Sequence, residues 1–284
     1  MRRMAAWLIA AAAATGCGGS SRSPTPVGQS PSGPSSGPSV NLAPVIESIG
    51  LSADRVEVDN EITVSANVKD EETPVEQLKF EWKASGGSFS GDGATVKWRA
   101  PKDIRTPADY TIDLTVTEVY GAPNASGVRP QNVSNATSPS IRVHNSTKEL
   151  GDLSMRFLSD FADSSIPAST CVRDFSDSCR GKSEERGDIE SNRTHFDILS
   201  SSLTLRFVNI ASNGLSANMT VACSFTSRIK FCDPTDKLCV VGDVGTARGD
   251  CILTGKYDDR RWWLCDSHFI GKLVGAMRNF FSRP

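Results

Sequence analysis

A chain of 284 residues has room for one or two packed domains once a leader and a low-complexity segment are set aside. Its hydrophobic content of 38% is lean but sufficient for packed cores. The formal net charge is −2; Arg2 and Arg3 fall in the leader, and without them 29 basic residues face 33 acidic ones, a net of −4, which argues against a nucleic-acid partner.

The chain opens on MRRMAAWLIAAAAATGCGGS, two arginines ahead of an apolar run from Met4 to Ala14. That run is shorter than the roughly 20 apolar residues of a bilayer span, so residues 1–16 read as a secretory signal. The closing quartet Ala14-Thr15-Gly16-Cys17 resembles the bacterial lipobox. The resemblance implies that Cys17 is acylated, palmitate included, and becomes the first mature residue of a cell-envelope lipoprotein held in its membrane through that lipid. Gly18-Gly19 lack the aspartate associated with inner-membrane retention, which points to the outer membrane or the cell surface.

Residues 17–43 are nearly all Ser, Pro and Gly. Such a composition cannot bury enough surface to offset the entropy of ordering, and the expectation is an extended tether. From Pro44 the pattern changes. Val45–Ile49, Arg55–Val58, Ile62–Val68, Lys79–Lys83, Ala94–Trp98 and Tyr110–Val116 alternate apolar with polar, broken by Asp59-Asn60, Gly86-Gly87, Gly91-Asp92-Gly93 and Thr106-Pro107. Period two with frequent turns predicts short antiparallel strands in a β-sandwich over residues 44–144, with Trp82 and Trp98 as core anchors. Gly121–Ser140 reads as a polar connection, and Ile141-Arg142-Val143 as a closing strand. Asp70-Glu71-Glu72 offers oxygens to Ca²⁺, but one short carboxylate run is a partial shell, and a solvated acidic turn is expected.

The wording NLAPVIESI, SADRVEVDNEITVSANVKD, LKFEWKASGGSFSGDGATVKWRAP and YTIDLTVT resembles the Ig-like and PKD-like modules of bacterial surface proteins, over about Asn41–Val119. It lacks the W-D-F-G-D-G stretch of PKD modules, so Ig-like is the better description. The resemblance implies a spacer or a contact surface.

Residues 145–284 begin with Ser146-Thr147-Lys148-Glu149, the spacing of a capping box. Leu150, Leu153, Phe157, Leu158 and Phe161 follow at helical spacing, and Ile166-Pro167 is the expected stop. A short polar helix is predicted around Ser183–Thr194. Strands are predicted over 196–210, 217–228, 246–257 and 261–270, with hairpin turns at Asn213-Gly214 and Asp258-Asp259. Helices first and a long meander last is an α+β order. The segments ANMTVACSFTSR and GTARGDCILTGKYDDRRWWLCDSHFIG are similar to the closing strands of NTF2-like (SnoaL-like) cones. The fold expected for the whole chain is therefore an all-β Ig-like sandwich followed by an α+β NTF2-like cone. Leu273, Val274, Met277, Phe280 and Phe281 predict a C-terminal helix closing the cone or docking on a membrane or partner.

That resemblance implies a cavity in which enzymes of the family set an Asp–His or Asp–Tyr pair. Asp266 and His268 are two apart on one predicted strand and share a face with Trp262 and Leu264, which makes these four a candidate pocket wall. The strand rise sets Asp266 and His268 roughly 6–7 Å apart, beyond direct hydrogen-bond reach, so no catalytic dyad is expected. The expected function is a non-catalytic, membrane-anchored lipoprotein whose head binds another envelope protein or a small ligand. The alternative is an isomerase, dehydratase or hydrolase on the same stalk.

Seven of the eight cysteines follow residue 170. In an exported chain they are expected to bridge, Cys171 with Cys179 and Cys232 with Cys239 across short turn-rich loops. Cys223, Cys251 and Cys265 lie on predicted strands; one pair among them is expected to bridge and one thiol to stay buried. No pair has zinc-knuckle spacing and the three histidines are scattered, so neither metal nor cofactor is expected.

Overall fold

The computed structural model describes residues 41–232, 235 and 239–268. The predicted leader, Cys17, nearly all of the tether and the C-terminal helix lie outside them. No helix among the described residues is long and apolar enough to cross a membrane.

Up to residue 144 the described chain is strand, turn and loop, with a single 3₁₀ turn at Val75–Gln77. The strands are β1 (Val45–Leu51), β2 (Arg55–Glu57), β3 (Glu61–Lys69), β4 (Lys79–Ala84), β5 (Ser88–Ser90), β6 (Thr95–Arg99), β7 (Ala108–Tyr110), β8 (Ile112–Val119), β9 (Gln131–Thr137) and β10 (Ile141–His144). They form sheets of order β1-β3-β6-β5, β4-β8-β9 and β2-β10-β7. Pairing is antiparallel except that β10 runs parallel to β2. Alternation puts Ile62 and Val64 of β3, Val96 and Trp98 of β6 and Ile112 of β8 into one buried cluster. Val68, Leu78, Leu114 and Val116 form a second. Trp98 is fully buried and donates its indole N–H to Gly86 O at 3.1 Å. The ring lies so close to Gly87 (φ 83°) that a Cβ there would strike both Trp98 Nε1 and Arg99 O. Here the turn requires glycine on two counts.

The polar stretch 121–140 is not all loop. β9 lies in it at a sheet edge, where exposed and half-buried residues alternate with few apolar side chains among them. Cross-strand hydrogen bonds, Thr115 Oγ1 to Asn135 at 2.7 Å and Thr137 Oγ1 to Asp113 at 2.7 Å, replace the apolar contacts that would have marked a strand.

Beyond residue 145 come α1 (Ser146–Ala162), α2 (Ala168–Cys171) and α3 (Gly181–His195), then β11 (Phe196–Ile210), β12 (Ser216–Ile229), β13 (Val244–Asp258) and β14 (Arg261–Ser267). The strands make one antiparallel meander in chain order. Register shifts between Ile198 and Ser200, and between Leu205 and Phe207, mark irregularities that bend β11. The β13–β14 turn has positive φ at both Asp259 (48°) and Arg260 (58°), the backbone of a two-residue hairpin, one residue later than the predicted pair. α1 buries Leu150, Leu153, Phe157, Leu158 and Phe161 against the meander, where they meet Met219, Phe225, Leu253 and Trp262. Phe157–Phe175 and Phe161–Phe225 pack edge to face at 5.0 and 5.6 Å. Gly255 makes room for Leu150, whose Cδ2 would lie 2.7 Å from a Cβ there.

Both ends of α1 differ from expectation. Its N-cap is Asn145, whose side chain accepts from Lys148 N at 3.1 Å, while Glu149 Oε1 accepts from Asn145 N at 3.1 Å. Ser146 is thereby free to turn inward. The helix stops at Ala162, before Ile166-Pro167, with Asp163 Oδ1 capping Ser165 N and Pro167 standing ahead of α2. Arg193 of α3 closes that end, its guanidinium donating to Asp160 O at 3.0 Å, Asp163 O at 2.8 Å and also to Ile166 O.

The bridges are Cys179–Cys265, Cys223–Cys251 and Cys232–Cys239. The expected Cys171–Cys179 link does not form. α2 turns Cys171 into the core, where its Sγ contacts Asp160 O at 3.4 Å, and its thiol is free and buried. Cys179 instead meets Cys265 at a Cα separation of 5.2 Å, because Gly181 lets the first turn of α3 sit directly on the β14 backbone. Peptide mapping of the unreduced protein should link Cys179 to Cys265. Cys171 should resist alkylation until denaturant is added; rapid labelling of the native protein at Cys171 would contradict this arrangement.

Candidate functional site

The four residues proposed as a pocket wall are divided by the strand that carries them. Trp262 and Leu264 of β14 pair with Tyr257 and Gly255 and are buried in the core. Cys265 is then an extra residue, since Asp266 pairs with Thr254 next to Gly255. One inserted residue turns every later side chain to the opposite face. Asp266 and His268 therefore point outward, with side chains 45% and 57% exposed. Their side chains nonetheless approach more closely than the strand rise predicts, His268 Nδ1 lying 3.5 Å from Asp266 Oδ2. The pair is real, but it stands on the surface while aromatic and aliphatic side chains fill the interior.

Ser267, turned inward by the same bulge, sets its Oγ 2.7 and 2.8 Å from the two carboxyl oxygens of Glu185, in reach of a hydrogen bond with either. Glu185 lies on the buried face of α3. Burial, with Asp188 and Asp266 nearby, outweighs the Ser267 hydrogen bond and pushes its carboxyl up to about 8.

The polar groups that converge most tightly lie where the two halves meet. Arg55 of β2 stacks its guanidinium 3.6 Å from the centre of the Tyr257 ring and donates to Gly214 O at 2.7 Å and to Ser146 Oγ at 3.1 Å. Ser146 Oγ also accepts from Trp262 Nε1 at 2.7 Å and donates to Glu57 Oε1 at 2.5 Å, so its one hydrogen and two lone pairs are all used. Beside it, buried His144 joins Glu149 Oε2 through Nδ1 at 2.8 Å and Tyr257 Oη through Nε2 at 2.9 Å. The carboxylate can only accept, so Nδ1–H donates to it. Burial opposes the charge on Glu149, yet the His144 hydrogen bond and charge, with Thr106 and the Asn145 amide, hold its carboxyl below the usual range. Burial raises the Tyr257 hydroxyl against the pull of Arg55. Sequence alternation marks Trp262 and Tyr257 as strand residues, but nothing in it announces Arg55, His144 or Ser146 as partners of groups up to 159 positions away.

Against this seam lies a groove of about 480 Å³. The loop Ile104–Pro107 forms one wall, the first turns of α1 another, and Asp174 with Arg261 and Trp262 the third. Among the described residues no group of three or more His, Cys, Asp or Glu is placed to hold a metal. Asp70 Oδ1 is spent on the amides of Glu72 and Thr73 at 2.9 and 2.7 Å.

Fold and site together define a β-rich protein with several antiparallel sheets, three buried apolar clusters among the described residues and a groove along the seam between its two halves. No protein-family model matches the chain, and no curated protein does. Among solved structures it is similar to a conserved protein from Planctomyces limnophilus, at 15% identity over 42% of this chain and 91% of that one, with a TM-score of 0.31. It is also similar to a DUF4785 family protein from Legionella pneumophila, at 7% identity over 78% of this chain and 56% of that one, with a TM-score of 0.24. Both likenesses are slight, and the chain spans only about half the length of the second protein.

Two outcomes are expected. Arg55→Ala should cost about 2–4 kcal/mol in urea unfolding, and Arg55→Lys should recover little of it, because an ammonium cannot stack and fork as the guanidinium does. Glu185 holds a proton in the folded protein between pH 4.5 and about 8 that the unfolded chain has released, so its presence lowers stability as pH rises through that window. Glu185→Gln should therefore match the parent near pH 5 and melt higher near pH 9, by up to about 4 kcal/mol. Parallel pH profiles for the two proteins would refute the buried acid.

Proposed function

We propose that this chain is a membrane-anchored envelope lipoprotein, held through lipid on Cys17 and tethered by residues 17–43. In this reading an Ig-like module over 44–144 presents an NTF2-like head over 145–284, and the head binds or scaffolds without catalysis. Its place is the outer membrane or the cell surface, and its partner is another envelope protein or a small ligand. The observation that carries the reading is the filled interior of the helix–sheet half. Trp262 and Leu264 stand in the core where a cone enzyme would need a cavity, and the open volume lies outside, along the seam. The order of three helices followed by a bent four-stranded meander supports the NTF2-like assignment. Two sheets sharing buried tryptophan and aliphatic side chains support the Ig-like one.

A second reading, an isomerase, dehydratase or hydrolase on the same stalk, keeps one observation in its favour, the 3.5 Å approach of His268 to Asp266. Against it, both groups are exposed. The anchoring proposal is tested by replacing Cys17 with Ser and fractionating the cells. The variant should leave the membrane fraction after carbonate washing, while the parent stays and cross-links to its partner there. A Cys17→Ser protein that remains bound would overturn the lipid anchor.

A further inference from the structure

The seam groove carries an unbalanced set of charges. Arg105, Arg142, Lys148, Arg156 and Arg261 reach it from both halves of the protein, against Glu149, Asp152 and Asp174. That leaves an excess of two positive charges in a chain whose formal net charge is −2.

The acids do not cancel the cations evenly: one is turned away from the groove, and the other two are already paired with groove cations. Glu149 is turned away, one oxygen on His144 and the other on the Asn145 amide. Asp174, only 15% exposed, is shared between Arg156 at 2.8 Å and Arg261 at 3.8 Å, with Arg173 at 3.9 Å behind them. Asp152 takes Lys148 at 2.6 Å. Arg142 spends Nη1 on Asp109 at 2.6 Å, and its buried Nε has no partner among the described residues. Arg105 has no hydrogen bond or ion pair among the described residues and is exposed at the mouth of the groove. Buried donors are seldom left unpaired, since each costs the desolvation it gave up. Arginines with donors to spare, lining a concave surface with Trp262 and Leu153 beneath them, are suited to an anion that presents paired acceptor oxygens, a carboxylate or a phosphate.

We propose that this groove binds a small oligoanion, a molecule carrying two or more phosphate or carboxylate groups on a body of sugar-phosphate size or smaller. Arg105 supplies the main unneutralised contact from the Ile104–Pro107 loop, and Arg156 and Arg261 face it across the opening. The volume of about 480 Å³ falls within the range of small-molecule sites. The ligand touches both halves of the molecule at once and so reports on their arrangement. This deepens the binding reading above and rests on it only for the claim that the head binds; it is independent of the lipid on Cys17.

Phosphate-bearing free molecules and phospholipid headgroups share this chemistry. The test is calorimetric titration of the full-length purified protein with two probes that each carry two phosphorus centres, pyrophosphate and bis(glycerophospho)glycerol, the soluble headgroup of a diphosphatidyl phospholipid. Saturable binding of either at one site is expected, and the tighter probe identifies the source. Arg105→Glu should weaken it about tenfold or more, as the loss of a charge-assisted contact and its replacement by repulsion require. Lys102→Glu, an exposed residue of the same charge three positions earlier and outside the groove, should change it less than about twofold. Where Arg105→Glu fails to fold, by its melting curve, Arg105→Gln takes its place with a smaller loss expected. Equal losses in the Arg105 and Lys102 variants would reduce the effect to general surface charge and overturn the proposal. So would binding of both probes weaker than about 10 mM.

Discussion

A guanidinium brought out of water must be surrounded by acceptors and aromatic faces, and Arg55 is surrounded by groups from both halves of the protein. Its own strand offers Glu57; the other half offers the Tyr257 ring, the Gly214 carbonyl and the Ser146 hydroxyl. Those contacts fix several distant features at once. Ser146 must face inward, so the cap of α1 passes to Asn145; Trp262 must send its indole N–H to the same hydroxyl, so the start of β14 is pinned. The planar stack on Tyr257 in turn orients a hydroxyl that satisfies His144, and His144 satisfies Glu149. No member of this chain of contacts can be removed without leaving a buried polar group unpaired, which is why the seam is a constraint and not a loose contact.

The distribution of legible and illegible features follows from what a local pattern records. Alternation recorded the strands of both halves well, because each has one buried face: β11 spans the predicted 196–210, and the neighbouring strands differ by a residue or two. It did not record β9, whose Asn, Ser and Thr residues stabilise an edge through side-chain hydrogen bonds. It misread β14 for a different reason. Period two holds only while pairing is regular, and the residue inserted at Cys265 reversed the facing of Asp266, Ser267 and His268. The cysteines show the same limit. Cys232 and Cys239 are close in sequence and close in space, but Cys179 and Cys265, separated by 86 positions, are joined by the packing of α3 on β14. The candidate site was illegible for a related reason, since its cations come from a loop, a strand and a helix that only the seam brings together.

Three of the groove's features depend on the seam that backs it. Glu149 is held by His144 and Asn145, so its charge is directed into the seam and away from the opening. Trp262, fixed by Ser146, forms an apolar floor that excludes water from one side of the cations. Arg142 sits on β10, which is clamped between β2 and β7, and so cannot follow its charge out to solvent as a lysine on a loop would. Cations held this way have already lost part of their hydration and rotamer freedom when a ligand arrives, which lowers the cost of ordering them on binding.

The choice of side chain fits the same logic. Four of the five cations at the groove are arginines, and three of these are already engaged by carboxylates through part of their donor set. A lysine so engaged would be a neutralised point charge. An arginine offers further N–H groups in the plane of the same guanidinium, so an ion pair with Asp174 or Asp109 positions the fork without exhausting it. The carboxylates at this site therefore act as orienting groups for the arginines. Removing Asp174 would free Arg156 and Arg261 electrostatically but release them from the geometry in which both face the opening, so a site with more net positive charge would be a less selective one.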